Sequence, residues 1–315
     1  MITDNTQKLK VPFFAGNAFT TGPYGGNPAV VVFLQDELPD EILLGIANNF
    51  NQSVITFVYP PTPEDTEVNG QTASFRIRWF STLREIWLCG HGSFVAAASI
   101  FDTPGLVSAG VQSLRLKGKH NTLTARRVDD GQIELTLGAK DVERVTPAQE
   151  KEIGDIVKRS IGDIQILSVW TDKKFVLVEV EEKGEGDLAS RKVDTDTLIE
   201  TGYPSNIITA GSSDPDVAFI SRVFHPAQGL AEDPVCGSAH GLLTPYWSKK
   251  QGFGDKQVSV KQVSPRGGGL DVKWNIQEGT VTLRVGLSFT AVLDWHAGRI
   301  RWLRYPNCPP YQHFW

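Results

Sequence analysis

Short runs in which apolar and polar residues alternate dominate the 315-residue chain, and few stretches carry the wider spacing of a helix. Up to residue 137 the pattern predicts strands at 29–33, 53–59, 70–80, 109–116, 123–127 and 132–137, after an opening strand from Val11. Beyond it, strands are predicted around Trp170, over 175–180, and at 206–210, 257–262, 270–274, 280–285 and 288–293. Helical spacing is found at 39–50, where Ile42, Leu43, Ile46, Ala47 and Phe50 share a face and Asp40 and Glu41 fill the first turn. A second helix is predicted over 145–161 and a helix end over 198–202. Many strands with a few long helices give an α+β class.

Two further helical runs, Phe94–Ile100 and Gly241–Trp247, follow loops that resemble each other. Leu88-Cys89-Gly90-His91-Gly92-Ser93 returns 147 positions later as Val235-Cys236-Gly237-Ser238-Ala239-His240. Before each loop lies a six-residue strand with an aromatic at both ends and Arg in fourth place, Phe75–Phe80 and Phe219–Phe224. The second loop is three residues longer, since its cysteine stands twelve positions beyond the strand rather than nine. Such a repeat predicts two half-domains of related topology. They are placed at 1–122 and 123–296, with a proline-bearing tail over 297–315 that packs back on the first half.

A glycine-rich turn into a helix is suited to anions, because glycine allows close backbone approach and the first helical N–H groups point outward with the positive end of the dipole. A thiol held there is expected to have its pKa lowered toward that of a working proton-transfer base. Cys89 and Cys236 are therefore the candidate acid/base pair, and Gly90, Gly92, Ser93, Gly237, Ser238 and Ala239 the groups that line a small anion. His91 either donates to a substrate carboxylate or relays a proton, or else caps the helix. Asp233, beside Glu232, is a candidate carboxylate acid/base or an ordinary complement to the helix dipole. The Gly25-Gly26-Asn27-Pro28 turn adds Asn27 as a substrate contact, while His240, one turn into its helix, reads as packing. A zinc site of Cys89, His91, Cys236 and His240 is weighed and set aside, because the Cys-x-His spacing is too tight; no metal is expected. Cys308 reads as a bystander. Trp79 and Trp87 flank the first loop and Trp247 follows the second; lining the cleft, they would suit a bulkier, aromatic substrate.

A net charge of −5 with no cluster of lysine or arginine excludes nucleic acid or an acidic membrane surface as the main partner and favours a small molecule. No run approaches the length of a membrane span, and the polar start lacks the regions of a signal peptide, so the cytoplasm is the expected compartment. Three cysteines are too few for a disulfide framework, and the thiols are expected to be free.

Taken together, Gly26-Asn27-Pro28-Ala29-Val30-Val31-Val32, Trp79-Phe80-Ser81 running to Cys89-Gly90-His91, Glu232-Asp233-Pro234-Val235-Cys236-Gly237-Ser238-Ala239-His240 and the weaker Arg266-Gly267-Gly268 resemble the phenazine-biosynthesis PhzF-like family, related in fold to diaminopimelate epimerase and proline racemase. The resemblance implies two pseudo-symmetric domains, each a barrel-like sheet around a central helix, and cofactor-independent isomerisation by proton transfer where the helix starts meet. Homodimerisation is compatible with it. Two positions depart from the pattern: Val54 stands where the family carries its acid/base glutamate, and Asn17 where it carries aspartate. Cys236 stands where many members have threonine, whereas cysteines at both places resemble the racemases. The leading expectation is an isomerase or epimerase acting on a carboxylate- or carbonyl-bearing metabolite. A cyclase that works by positioning, and a non-catalytic binding protein, are the alternatives that Val54 motivates.

Overall fold

The computed structural model describes residues 11–22, 24–61, 70–128, 130–182, 187–296 and 299–301. The chain runs through β1 (Phe13–Ala18), β2 (Asn27–Phe33), α1 (Asp40–Phe50), β3 (Ile55–Tyr59), β4 (Thr72–Phe80), β5 (Glu85–Ile86), α2 (Gly90–Asp102), β6 (Ser113–Lys117), β7 (Thr122–Arg127) and β8 (Ile133–Gly138). It continues with β9 (Glu143–Arg144), α3 (Pro147–Ile161), β10 (Ile166–Thr171), β11 (Phe175–Val180), α4 (Asp187–Ser190), β12 (Ser205–Gly211), β13 (Phe219–His225), β14 (Leu230–Asp233) and α5 (His240–Gln251). Then follow β15 (Val258–Gln262), β16 (Gly268–Asn275), β17 (Thr280–Val285), β18 (Leu287–His296) and β19 (Arg299–Arg301). The α+β reading holds, with a mixed sheet and few helices.

The strand pairings repeat. β1–β2 is antiparallel, β2–β3 parallel, β3–β4 antiparallel, β4–β6 parallel, and β6–β7 and β7–β8 antiparallel. The same order of hands returns through β10, β11, β12, β13, β15, β16 and β17. β5 folds back on β4 as β14 does on β13, and β18 covers β1 as β9 covers β10. The last strands of the two series, β8 and β17, pair with each other. One pattern of pairing thus ends at Gly138 and the next begins at Glu143; residue 122, where the sequence suggested a division, opens β7 between β6 and β8.

Period-two alternation places two layers on each series. In β3, Ile55, Phe57 and Tyr59 join the core beneath α1, while Val58, and Val54 just before the strand, face the larger core that holds α2. In β11, Val176, Val178 and Val180 pack under α3, while Phe175 and Leu177 turn to the larger core. α2 is buried on every face from Gly90 to Ile100, and α5 from His240 to Ser248. That is why their sequences show no polar stripe. Each large apolar side chain so buried contributes about 1.5–3 kcal/mol.

Three local expectations are corrected. The strand expected from Ala109 begins at Ser113. α3 begins at Pro147 rather than Val145, because Thr146 caps it with a reciprocal Thr146–Gln149 box. Residues 198–202 are not the end of a long helix but a 3-10 turn, Thr197–Thr201, closed by Gly202.

Candidate functional site

The two cysteine loops meet. An ideal Cβ on Gly90 would lie 3.6 Å from the Gly237 Cα and 4.0 Å from the Ser238 N, ordinary contact distances between two backbones that approach without side chains. Cys89 precedes α2 as its cap, its Sγ accepting from the Gly92 N–H at 3.3 Å. Cys236 precedes a short 3-10 turn, Gly237–Ala239, which leads into α5 and has no side-chain cap. The matched sequences therefore give unmatched starts: α2 begins directly after its cysteine and α5 one turn later.

Each thiol has a histidine beside it. The Cys89 Sγ lies 3.3 Å from His91 Nδ1. The Cys236 Sγ lies 3.7 Å from His225 Nε2 and 3.3 Å from Ser238 Oγ. His225 also lies 3.7 Å from the Asp233 carboxylate, and its Nδ1 is 2.8 Å from Ser205 Oγ. The hairpin explains this convergence. Gly229 takes φ +80° after the 3-10 turn Pro226–Gln228, β14 returns along β13, and Asp233 comes opposite Val223, two residues before His225.

Asn27 is drawn in from the first series. Its Nδ2 donates to Asp233 Oδ1 at 2.6 Å and to the Val235 carbonyl at 2.9 Å. Gln262 accepts from the Cys236 N–H at 2.9 Å, and Ser264 donates to the Pro234 carbonyl at 2.7 Å, so the Asp233–Cys236 loop is held from two sides. Arg266 donates to the Gly26 and Tyr24 carbonyls and to Asn17 Oδ1, at 3.0, 3.1 and 3.2 Å. The stretch 264–269, which carries three glycines, is thereby pinned, and Gly268 already belongs to β16.

The electrostatics depart from expectation at Cys89. Burial pushes its thiol up to about 12, with the Asp233 charge adding, and the Gly92 N–H offsets only part of this. Burial likewise lowers His91, which stays neutral. At His225 burial alone would lower the pKa, but Asp233 and Cys236 outweigh it and raise the ring to about 10. Burial would raise Asp233, yet His225 and Cys236 hold its carboxyl below the usual carboxylate range. His240 is fully buried and falls to about 4 through that burial, its Nδ1 2.9 Å from the Cys236 carbonyl.

Other expected residues are buried or already engaged within the protein. Ser93 is fully buried, its Oγ donating to the Cys89 carbonyl at 2.6 Å and accepting from Trp79 Nε1 at 3.1 Å, so its hydroxyl is already used. Ala239 is fully buried as well. Glu232 is committed to Arg222 by two hydrogen bonds of 2.7 Å, which leaves Asp233 as the carboxylate of that pair. Trp79 and Trp247 lie in the core, whereas Trp87 is exposed, stacked on His120. Val54 lies in the same core as both cysteines. Cys308 lies outside the described residues.

His225 escaped the sequence reading. It follows the strand 219–224 by one position and matches Ser81 in the first repeat, so nothing in the repeat marks it. The available signal was the run His225, Asp233, Cys236, which a tight hairpin would gather. One ligand atom from each of these three lies within 4.8 Å of the others, a spacing a metal ion would accept. Asn27 already donates to Asp233 and Ser205 meets the His225 ring, while His225 and Asp233 lie within ion-pair distance of each other. Two grooves of about 650 and 450 Å³ open elsewhere, along α3 and beside Tyr246, and neither is lined by these residues.

A duplicated α+β chain whose two glycine-rich loops meet, each with a thiol at the turn, is the class of protein that the pairings and the junction define. The chain belongs to the phenazine biosynthesis-like family, whose model matches residues 17–297. It is 33% identical over 289 residues to the human phenazine biosynthesis-like domain-containing protein, covering 88% of this chain and 96% of that one. It is 34% identical over 301 residues to an uncharacterized isomerase of Pseudomonas aeruginosa, covering 93% and 99%. Among solved structures, a PhzF family protein from Enterococcus faecalis superposes with a TM-score of 0.75 at 27% identity, covering 90% and 98%.

Proposed function

We propose that this protein is a cofactor-independent isomerase that moves a proton on a small carboxylate- or carbonyl-bearing metabolite held where the two loops meet. Each strand series would close as a barrel-like sheet around its buried helix, α2 or α5. The observation that carries the reading is the approach of Gly90 to Gly237, because these glycines directly follow Cys89 and Cys236 in the loops that lead to α2 and α5. The isomerase name of a full-length relative supports it. In this reading the substrate's negative group rests on backbone N–H groups at Gly90, Gly237 and Ser238, while Cys89 and Cys236 serve the two faces of the reacting carbon. His91 and Asp233 adjust the charge around them, and Asn27 fixes Asp233.

Proton wash-in tests this. Incubation in heavy water with pools of amino and hydroxy acids is expected to introduce deuterium into one of them, and Cys89→Ser or Cys236→Ser to lower the rate at least a hundredfold. Turnover that survives both substitutions would favour a cyclase working by positioning alone, a reading that Val54 supports because it removes a carboxylate. Binding without turnover would favour a non-catalytic protein. Homodimerisation belongs to the same proposal and is checked by light scattering.

A further inference from the structure

We propose that His225 is a positioning residue that makes the two thiols unequal, fixing Cys236 as the proton acceptor and leaving Cys89 as the proton donor. The inference rests on the isomerase reading for its catalytic meaning but on contacts of its own. Cys89 and Cys236 are equally buried, each about 5% exposed, so solvent access does not separate them. Their histidines do. His225 has a carboxylate partner, Asp233, 3.7 Å from the same Nε2 that faces Cys236. Its other nitrogen meets Ser205 Oγ, which also accepts from Gln228 Nε2 at 3.2 Å and so has a lone pair to spare for a ring N–H. Both nitrogens are thus placed to donate, as an imidazolium requires. Phe175 packs on the ring at 6.3 Å, with Lys140 beyond it. His91, by contrast, has no ion-pair partner among the described residues and is buried against Cys89.

A cysteine beside an imidazolium favours its thiolate, and a buried one beside a neutral histidine keeps its proton. Burial pushes Cys89 up to about 12, in line with that division. In the step this gives, the Cys236 sulfur takes the proton from the substrate carbon and the C–H electron pair stays on the substrate. Cys89 then delivers its own proton to the opposite face. Exchange with solvent, or the reverse turn, restores the starting charges.

The test uses the full chain carrying Cys308→Ser, with iodoacetamide as the probe at pH 7 and mass spectrometry to follow each site. Cys236 is expected to label at least tenfold faster than Cys89. His225→Gln is expected to bring the two rates within threefold in protein that still melts in one cooperative transition, at a lower temperature, and His225→Lys to restore part of the difference. A structural role alone would shift both rates together. Independently of any variant's folding, NMR of the parent is expected to show the His225 ring still protonated at pH 8. Equal labelling in the parent, an unchanged ratio in His225→Gln, or a neutral His225 ring at pH 7 would each overturn the proposal. Unequal labelling without proton wash-in would leave the inequality of the thiols standing and remove the isomerase reading, with the acceptor and donor roles, instead.

Discussion

Gly92 is held between two neighbours: an added Cβ would collide with Thr56 Oγ1 and lie 3.2 Å from Cys89 Sγ. Gly92→Ala is therefore expected to cost about 1–3 kcal/mol, as overpacking does. Thr56 Oγ1 is buried without a hydrogen-bond partner, so Thr56→Ala removes the obstacle without breaking a bond. The double variant should recover most of the loss in urea unfolding, and simply additive costs would show that the clash is not the cause. The histidines give a second prediction. His225 titrates near 10 when folded, above its unfolded value near 6.5, so the native state binds more protons between the two. Its contribution is complete below pH 6.5 and is lost as pH rises toward 10, at no more than about 1.4 kcal/mol per pH unit. His240 is depressed to about 4, so its neutral burial favours folding above pH 6.5 and that advantage is lost as pH falls toward 4. Unfolding measured from pH 4 to 10 should peak between these arms. His225→Gln should flatten only the alkaline one; a profile unchanged in that variant would count against the charged ring. The cysteines and His91 were legible because a duplicated glycine-rich motif marks them, and Asp233 because it stands just before the second copy. His225 was not, because its role comes from a hairpin return that local pattern does not encode. The thiol pKa was misjudged for a related reason: the helix start is visible in sequence, whereas complete desolvation is not.

α3 is the element whose boundaries chemistry decides most sharply. Thr146 accepts from the Gln149 N–H at 3.4 Å and Gln149 returns a bond to the Thr146 N–H at 3.1 Å. Thr146→Ala should lower stability by about 1 kcal/mol, read as a lower melting temperature. Since α3 packs on the outer face of β10–β12, proton wash-in should be unaffected; a matching loss of turnover would mean that α3 controls the junction. Strands were legible wherever alternation was clean, as in β7 and β8, and α1 showed its face plainly. The stretch 109–112 misled because Ala109-Gly110-Val111 is apolar enough to pass for strand, yet forms a turn. At 264–269 three glycines would by themselves leave a loose turn, but Arg266 supplies three hydrogen bonds that tie it to the first series.

Across the whole molecule the duplication reaches as far as the ion pairs. Arg78 grips Glu85 with two bonds of 2.8 Å, and Arg222 grips Glu232 with two of 2.7 Å, each guanidinium also lying over the aromatic two residues later. The arginine in fourth place of each strand announced this correspondence, but its glutamate partner depends on the hairpins β4–β5 and β13–β14. Pairing between remote strands left no trace in local sequence at all, which is why the exchange of β8 with β17 and the cover of β1 by β18 became visible only in the fold. That cover has a consequence during synthesis. β1 is made early, whereas β18, which shields its outer edge from Phe13 to Ala18, is made only after residue 287. At the usual ~5–20 residues per second the ribosome needs roughly 15–55 s to supply it. Throughout that interval the growing chain displays an unprotected edge, the kind that recruits other nascent chains. A chain stopped after Val285 should stay in that condition permanently and sediment as aggregates or depend on a chaperone. A monodisperse, fully folded truncation would show that β1 needs no late partner.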